Sequence, residues 1–231
     1  MNKKLLIILG IVAVVGLIAL ALFLPEKKET IKGVNMLGID FNVEGNETSL
    51  SKYETENPVV AMYIENYGAI VMELYPDIAP NTVNNFIYLV KNGFYDDNTF
   101  HRLMKGFVLQ GGDPTGTGTG GPGYYIKGEF TSNGFQNDLK HEEGILSMAR
   151  ATPPDTAGSQ FFIMLGTAEH LDNNYAAFGK VIDGMEIVKR IEEKEEVADS
   201  QSGKLKTNLV LKKAIIDLKG KEYPNVEIIK E

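Results

Sequence analysis

The chain contains no cysteine, which removes disulfides, thiolate nucleophiles, thiolate metal sites and a lipidated N-terminal cysteine together. The redox compartment is therefore not legible from thiol usage. Histidine is scarce, three in 231 residues. His101, His141 and His170 share no metal-ligand spacing, and no H-E-x-x-H occurs. They read as surface or capping histidines, and neither a metal nor a cofactor is expected. Cations are outnumbered, since 23 Lys and Arg face 31 Asp and Glu, for a net charge of -8 and a pI near 5.1. Nucleic-acid binding draws most of its affinity from Lys and Arg on phosphates, so no nucleic-acid partner is expected. The chain also lacks G-x-x-x-x-G-K-[ST]. Gly116, Gly118 and Gly121 fit G-x-G-x-x-G in form, but Pro122 and Gly123 follow where a dinucleotide site needs a helix. Ser159 lies in Gly158-Ser159-Gln160 rather than a G-x-S-x-G elbow, with no acid and histidine visibly arranged around it. Serine hydrolysis stays as a minor alternative.

One long apolar run is present, at the N-terminus. Lys3 and Lys4 precede Leu5 to Leu24, and Pro25 with Glu26, Lys27, Lys28 and Glu29 closes it. About twenty apolar residues in a helix span the hydrocarbon of a bilayer. Lys3 and Lys4 are unopposed while the later cluster sums to zero, which favours a cytoplasmic N-terminus and an extracytoplasmic remainder. The competing reading is a signal peptide cut at the A-x-A-like Ala19-Leu20-Ala21, which would release a secreted protein, although Leu22 to Leu24 prolong the run beyond it. The expected organisation is an anchor or uncleaved signal at 1–25, an extracytoplasmic spacer at 26–57, a globular domain at 58–220 and a tail at 221–231. Thr30 to Asn57 shows no sustained period, with a short strand conceivable around Met36 to Phe41 and a glycosylation triplet at Asn46-Glu47-Thr48.

In the globular part, Val59–Ile64 and Ala69–Leu74 flank Glu65-Asn66-Tyr67-Gly68, a hairpin signal. Pro76 to Asn92 changes period: Val83, Phe86, Ile87 and Val90 recur at three and four residues, Pro80 suits a first turn, and Gly93 follows as a cap. Short apolar runs follow at 107–110, 145–149, 161–165, 177–181 and 209–218, divided by turn residues, and they indicate an all-β barrel or sandwich. A second helix is expected from Met185 to about Lys194, with Ile187, Val188 and Ile191 inward.

The chemistry centres on Phe100 to Asp113, FHRLMKGFVLQGGD, where Arg102 stands among apolar and amide side chains. A guanidinium beside apolar surface needs a partner or a task, so a structural ion pair and a substrate role are both open. With GILSMA at 144–149, GSQFFI at 158–163 and FGKV at 178–181 in that order, the chain resembles the cyclophilin-type peptidyl-prolyl isomerases over Val59 to about Leu218. The loop Pro114 to Tyr124, PTGTGTGGPGY, resembles the bacterial branch.

The resemblance implies a closed eight-stranded antiparallel barrel capped by two α-helices and isomerisation of X-Pro bonds; the apolar N-terminal run adds one preceding transmembrane helix, and with it unfolded or exported proteins as the expected clients. Arg102 matches the catalytic arginine. Phe107, Val108 and Phe162 match the floor and walls of the proline pocket, and Gln110 and Gln160 the polar groups beside it. Ala149, Arg150 and Ala151 match the edge that pairs with substrate backbone, and Leu171 and Tyr175 the far side of the pocket. Tyr175 stands where many eukaryotic members have histidine, and His170 where they have tryptophan, so high affinity for cyclosporin-like inhibitors is not implied. Arg150 replaces a common asparagine and bears on the preference for residues before proline. The alternative function is a proline-peptide binding module or holdase with incidental turnover.

Overall fold

The computed structural model describes residues 50–230. The expected anchor, the possible strand at 36–41 and most of the spacer lie outside the described residues. Among the described residues, no helix is long and apolar enough to cross a membrane.

Strand β1 (Val59–Ile64) pairs antiparallel with β2 (Gly68–Leu74), from Val59↔Glu73 to Ile64↔Gly68. Their turn places Asn66 at φ 65 and Gly68 at φ 117, left-handed values that a β-branched residue would resist. Helix α1 (Pro80–Lys91) follows, then β3 (Asn98–Met104), β4 (Val108–Gly111) and the short β5 (Tyr124–Tyr125). The remaining elements are β6 (Ile145–Met148), β7 (Phe161–Met164), β8 (Ala177–Asp183), α2 (Met185–Lys194), β9 (Val197–Asp199), β10 (Lys204–Asp217) and β11 (Ile229–Lys230). The order β1-β2-β8-β6-β7-β4-β3-β10 closes on itself because β1 also pairs with β10. The result is a closed eight-stranded antiparallel barrel with two helices, as the resemblance implied. β9 extends β10 outside the barrel, and β5 pairs with β11 as a separate ribbon.

Alternation along the strands fills the interior. Val60, Met62 and Ile64 of β1, Ile70, Met72 and Leu74 of β2, and Phe161 and Ile163 of β7 join one buried cluster with Phe86 of α1 and Ile187, Val188 and Ile191 of α2. Phe86 is its aromatic centre, with ring centroids 5.1 Å from Tyr95, 5.3 Å from Phe161 edge-on and 5.1 Å from Phe178. The Tyr95 hydroxyl, fully buried there, donates to the Ser159 carbonyl at 3.0 Å.

Helix α1 begins at Pro80, four residues later than the expected Pro76, and Ala79 before it has no side chain able to cap. The cap comes from far along the chain. The buried Glu129 carboxylate accepts the N–H groups of Asn81 (3.0 Å) and Thr82 (2.8 Å), satisfying donors that the first helical turn cannot satisfy itself. At the other end Gly93 turns left-handed at φ 66 and the Phe94 N–H returns to the Leu89 carbonyl.

The folded body extends past the limits 58 and 220. Leu50 is fully buried, the Tyr53 hydroxyl donates to Asp183 (2.8 Å), and Thr55 and Asn57 both donate to Glu73. At the other end, Tyr223 and Val226 pack on the core and β11 returns to β5.

Candidate active site

The same period of two that fills the barrel builds a second surface outside it. Leu109 of β4 and Phe161 and Ile163 of β7 belong to the interior, whereas Val108, Phe162 and Met164 belong to a separate cluster with Leu171, Ala168, Ile145 and Ala177. Phe107, Met104, Ala149 and Tyr175 pack against that cluster as partly exposed neighbours. The result is an apolar floor on the outer face of β4, β7 and β6.

Beside the floor, β3 and β4 pair with Arg102 opposite Gln110 and Met104 opposite Val108. A hydrogen-bonded relay runs from this pair. Arg102 Nε donates to the Ser202 carbonyl and its Nη1 to Gln110 Oε1, both at 3.0 Å. Gln110 Nε2 then donates to Gln160 Oε1 (3.0 Å), and Gln160 Nε2 to the Gly120 carbonyl (2.9 Å). The guanidinium is thus held in plane by two neutral acceptors, while Nη2 makes no hydrogen bond among the described residues. No described carboxylate ion-pairs with Arg102, so the structural ion pair left open by the sequence is not what it serves. Burial lowers its pKa and the nearby Tyr175 acts against that, but a guanidinium keeps its charge at any physiological pH.

Phe162 is 5 % exposed and sits between two rings, Tyr175 edge-on at 6.0 Å and His141 stacked at 6.2 Å. His141 departs from the surface reading. Its side chain is fully buried, with Nδ1 3.0 Å from Asp172 Oδ1 and Nε2 3.0 Å from Ser147 Oγ. Burial depresses its pKa and the Asp172 carboxylate works the other way. This Ser-His-Asp line lies beneath the floor, with Ser147 inaccessible to a substrate. It sets the orientation of the ring behind Phe162 rather than offering a nucleophile. His101 is likewise partly buried, with both ring nitrogens shielded. His170 alone is exposed, stacked on Phe107 at 5.7 Å.

The later edge is shaped by Arg150. Its Nε and Nη2 donate to the Asn174 carbonyl (3.2 and 2.9 Å), and its Nη1 to the carbonyls of Ala151 and Thr152 (2.9 Å each). Its guanidinium lies 5.0 Å from the Phe130 ring and 4.7 Å from that of Tyr175. Every guanidinium nitrogen is therefore engaged, and the side chain ties residues 150–152 to 174–175. The Ala149 N–H donates to the Gln160 carbonyl (2.9 Å) and the Ala151 N–H to Thr156 Oγ1 (3.0 Å), whereas the Arg150 backbone has no hydrogen-bond partner among the described residues.

Between the edge and the glycine loop lies a cavity of about 330 Å³, lined among others by Gln110, Gln160, Thr119, Gly121, Tyr125, Ala149 and Thr156. The loop is organised by buried Asp113, which accepts from Thr115 (N–H at 2.7 Å and hydroxyl at 2.8 Å) and from the N–H groups of Thr117, Gly118 and Gly120. Burial pushes this carboxyl up, but the donors from Thr115, Gly120 and Gly118 outweigh it and hold the pKa at about 2. Asp113, Glu129, His141 and Tyr125 were not singled out from sequence. Glu129, Tyr125 and His141 each meet a partner 31 or more residues away, whereas Asp113 accepts from residues two to seven positions on, and only the D in QGGD carried a signal.

Arg102, Phe107, Val108, Gln110, Gln160, Phe162, Leu171 and Tyr175 thus come together at one face, with Ala149 to Ala151 along its margin. Among the described residues, no group of three or more His, Asp or Glu is placed to hold a metal.

A closed antiparallel barrel with an apolar pocket and a held arginine on its outside defines a cyclophilin-like protein. Residues 59–215 match the family model described as "Cyclophilin type peptidyl-prolyl cis-trans isomerase/CLD", and the chain belongs to that family and carries its isomerase activity. It is 52% identical over 128 residues to "Peptidyl-prolyl cis-trans isomerase B" of Bacillus subtilis, covering 55% of this chain and 86% of that one. It is 46% identical over 133 residues to "Peptidyl-prolyl cis-trans isomerase-like 2" of Rhizopus delemar, covering 57% of this chain but only 24% of that longer protein. Among solved structures, a Cryptosporidium parvum cyclophilin type isomerase crystallised in the presence of the dipeptide Ala-Pro superposes with a TM-score of 0.61 at 38% identity, over 68% of this chain and 98% of that one.

Proposed function

We propose that the chain accelerates cis–trans isomerisation of X-Pro bonds in exported or extracytoplasmic proteins, from a membrane to which residues 1–25 anchor it. Arg102 carries the catalytic part of this reading. Rotation about X-Pro must overcome a resonance barrier of roughly 18 to 20 kcal/mol, and no bond to another atom is broken. A nucleophile has nothing to do in such a reaction. As the amide twists, the proline nitrogen becomes pyramidal and regains its lone pair, so a donor aimed at it stabilises the transition state more than the planar ground state. The free Nη2 of Arg102 is that donor, fixed by Ser202 and Gln110. Phe107, Val108, Phe162 and Leu171 grip the pyrrolidine ring, and the Arg150 backbone pairs with the client chain on the far side. Gln110 and Gln160 orient the guanidinium.

The extracytoplasmic part rests on Lys3, Lys4 and the apolar run to Leu24, and the likeness to the bacterial branch rests on the Pro114–Tyr124 loop. Slow X-Pro isomerisation limits the folding of many exported chains. Two measurements test the proposal. The full chain should speed the proline-limited refolding phase of a secreted protein, and Arg102→Ala should not. Cell membranes washed in high salt should retain the protein; release into the medium with Leu22 at its N-terminus would show cleavage instead.

A further inference from the structure

The cavity beside the proline pocket has a wall that depends on residues outside the family's matched span. Tyr125 lines it and lies on β5, whose partner is β11, at Ile229↔Tyr125 and Lys230↔Tyr124. β11 stands beyond residue 215, where the family match ends. A two-stranded ribbon is marginal by itself in water, and this one is clasped by helix α1. The Glu227 N–H donates to Asn81 Oδ1 (2.8 Å) and Asn81 Nδ2 donates back to the Glu227 carbonyl (2.9 Å). One turn along the same helix, Asn85 accepts the Tyr124 hydroxyl and donates to the Gly158 carbonyl, both at 2.7 Å. Helix, strap and cavity wall are therefore one connected unit.

We propose that residues 223–230 form a specificity strap: by pairing β11 with β5 they fix Tyr125 as a wall of the cavity, which takes an aromatic or long aliphatic client side chain flanking the proline. The inference rests on the isomerase reading above. The chemistry of the lining supports that class of side chain. Among the described residues no carboxylate lines the cavity, and the one cation that does, Arg150, spends its donors on the carbonyls of Ala151, Thr152 and Asn174. Gln110, Gln160 and Ser159 also line it, but their polar atoms are taken up by Arg102, by each other and by the carbonyls of Gly120 and Gly112, so the unpaired surface is mainly glycine backbone, the alanine and threonine methyls, Pro122 and the Tyr125 ring. A volume of about 330 Å³ admits a phenyl group, and a pocket whose polar groups are already paired discriminates between side chains through the apolar surface it buries.

The test compares two proline peptides, with Ala or Phe flanking the proline, on the full chain and on three variants: deletion of residues 228–231, Asn81→Ala and Tyr125→Ala. The parent should prefer the Phe peptide. The deletion and Asn81→Ala should keep kcat/KM for the Ala peptide within about twofold while lowering the Phe-to-Ala ratio by about fivefold or more, the range an apolar subsite commands. Tyr125→Ala should lower that ratio with the strap intact, and hydrogen exchange at the Tyr124 and Tyr125 amides should quicken in the deletion. An unchanged ratio despite faster exchange, or equal loss on both peptides, overturns the strap. A parent that turns over neither peptide overturns the isomerase reading itself, a result read before any variant is made.

Discussion

Replacing Gln110 with leucine tests whether the relay behind Arg102 serves catalysis or packing. The two side chains are close in volume, so the floor stays filled, but two hydrogen bonds of 3.0 Å disappear, one from Arg102 Nη1 and one to Gln160 Oε1. A hydrogen bond to a charged group contributes about 1.5 to 3 kcal/mol when buried. Arg102 is only partly buried, and water can replace Gln110 on Nη1, so the loss of positional free energy falls to about 1 to 2 kcal/mol, or about 5- to 30-fold in kcat/KM. The guanidinium would keep its Ser202 bond and its charge but swing about it. Because the donor acts in the transition state, the loss should appear in kcat and leave KM nearly unchanged. Gln110→Glu sharpens the comparison. A carboxylate there would pair with the guanidinium, so stability should hold or rise while activity falls further. The assay is exchange between cis and trans X-Pro peptide, with thermal melts as control. Gln110→Leu within twofold of the parent, or a loss confined to KM, would refute the relay.

Other expectations follow from single contacts. Glu129→Ala leaves the Asn81 and Thr82 N–H groups without their acceptor and should destabilise by about 2 kcal/mol, lowering Tm by about 4 to 8 °C, with calorimetry as the check. Asp113 has a folded pKa of about 2, below its ordinary 3.8, so its stabilisation of the loop is complete above the unfolded value and is lost as pH falls through about 2. NMR shifts of the Thr117, Gly118 and Gly120 amides should titrate with that midpoint, and a midpoint near 4 would contradict it. Arg150→Met removes the ties to Asn174, Ala151 and Thr152, and should raise KM for all peptides alike with a stability loss of about 1 kcal/mol. An unaltered KM would show that the clamp on Tyr175 is idle.

Much of the barrel was legible because its strands are short apolar runs set off by turn residues. β1 coincides with the expected run, β2 starts one residue earlier, and α2 spans Met185–Lys194 as its inward Ile187, Val188 and Ile191 indicated. β3 was harder to read. Phe100 and Leu103 both face the interior, three residues apart, because β10 slips register between Lys204 and Leu209 opposite them. That slip breaks the period of two and turns Arg102 outward beside Gln110. β5 and β11 have two residues each and no periodicity at all, and α1 starts late because its cap is a glutamate 47 residues away from Thr82. The apolar site residues were found through family motifs. His141 was misread because its partners, Ser147 and Asp172, lie 6 and 31 residues from it, and no local spacing reports such a contact.

The central claim is that Arg102 contributes chemistry rather than binding. The most direct measurement takes one proline peptide and reads two quantities by NMR on the parent and on Arg102→Ala: the dissociation constant, from chemical shifts, and the cis–trans exchange rate of the bound peptide. Losing one preorganised donor should slow exchange by about 10²- to 10³-fold while the dissociation constant changes by less than about threefold. Exchange that survives the substitution, or falls only as far as binding weakens, would contradict the account and leave the pocket a proline receptor.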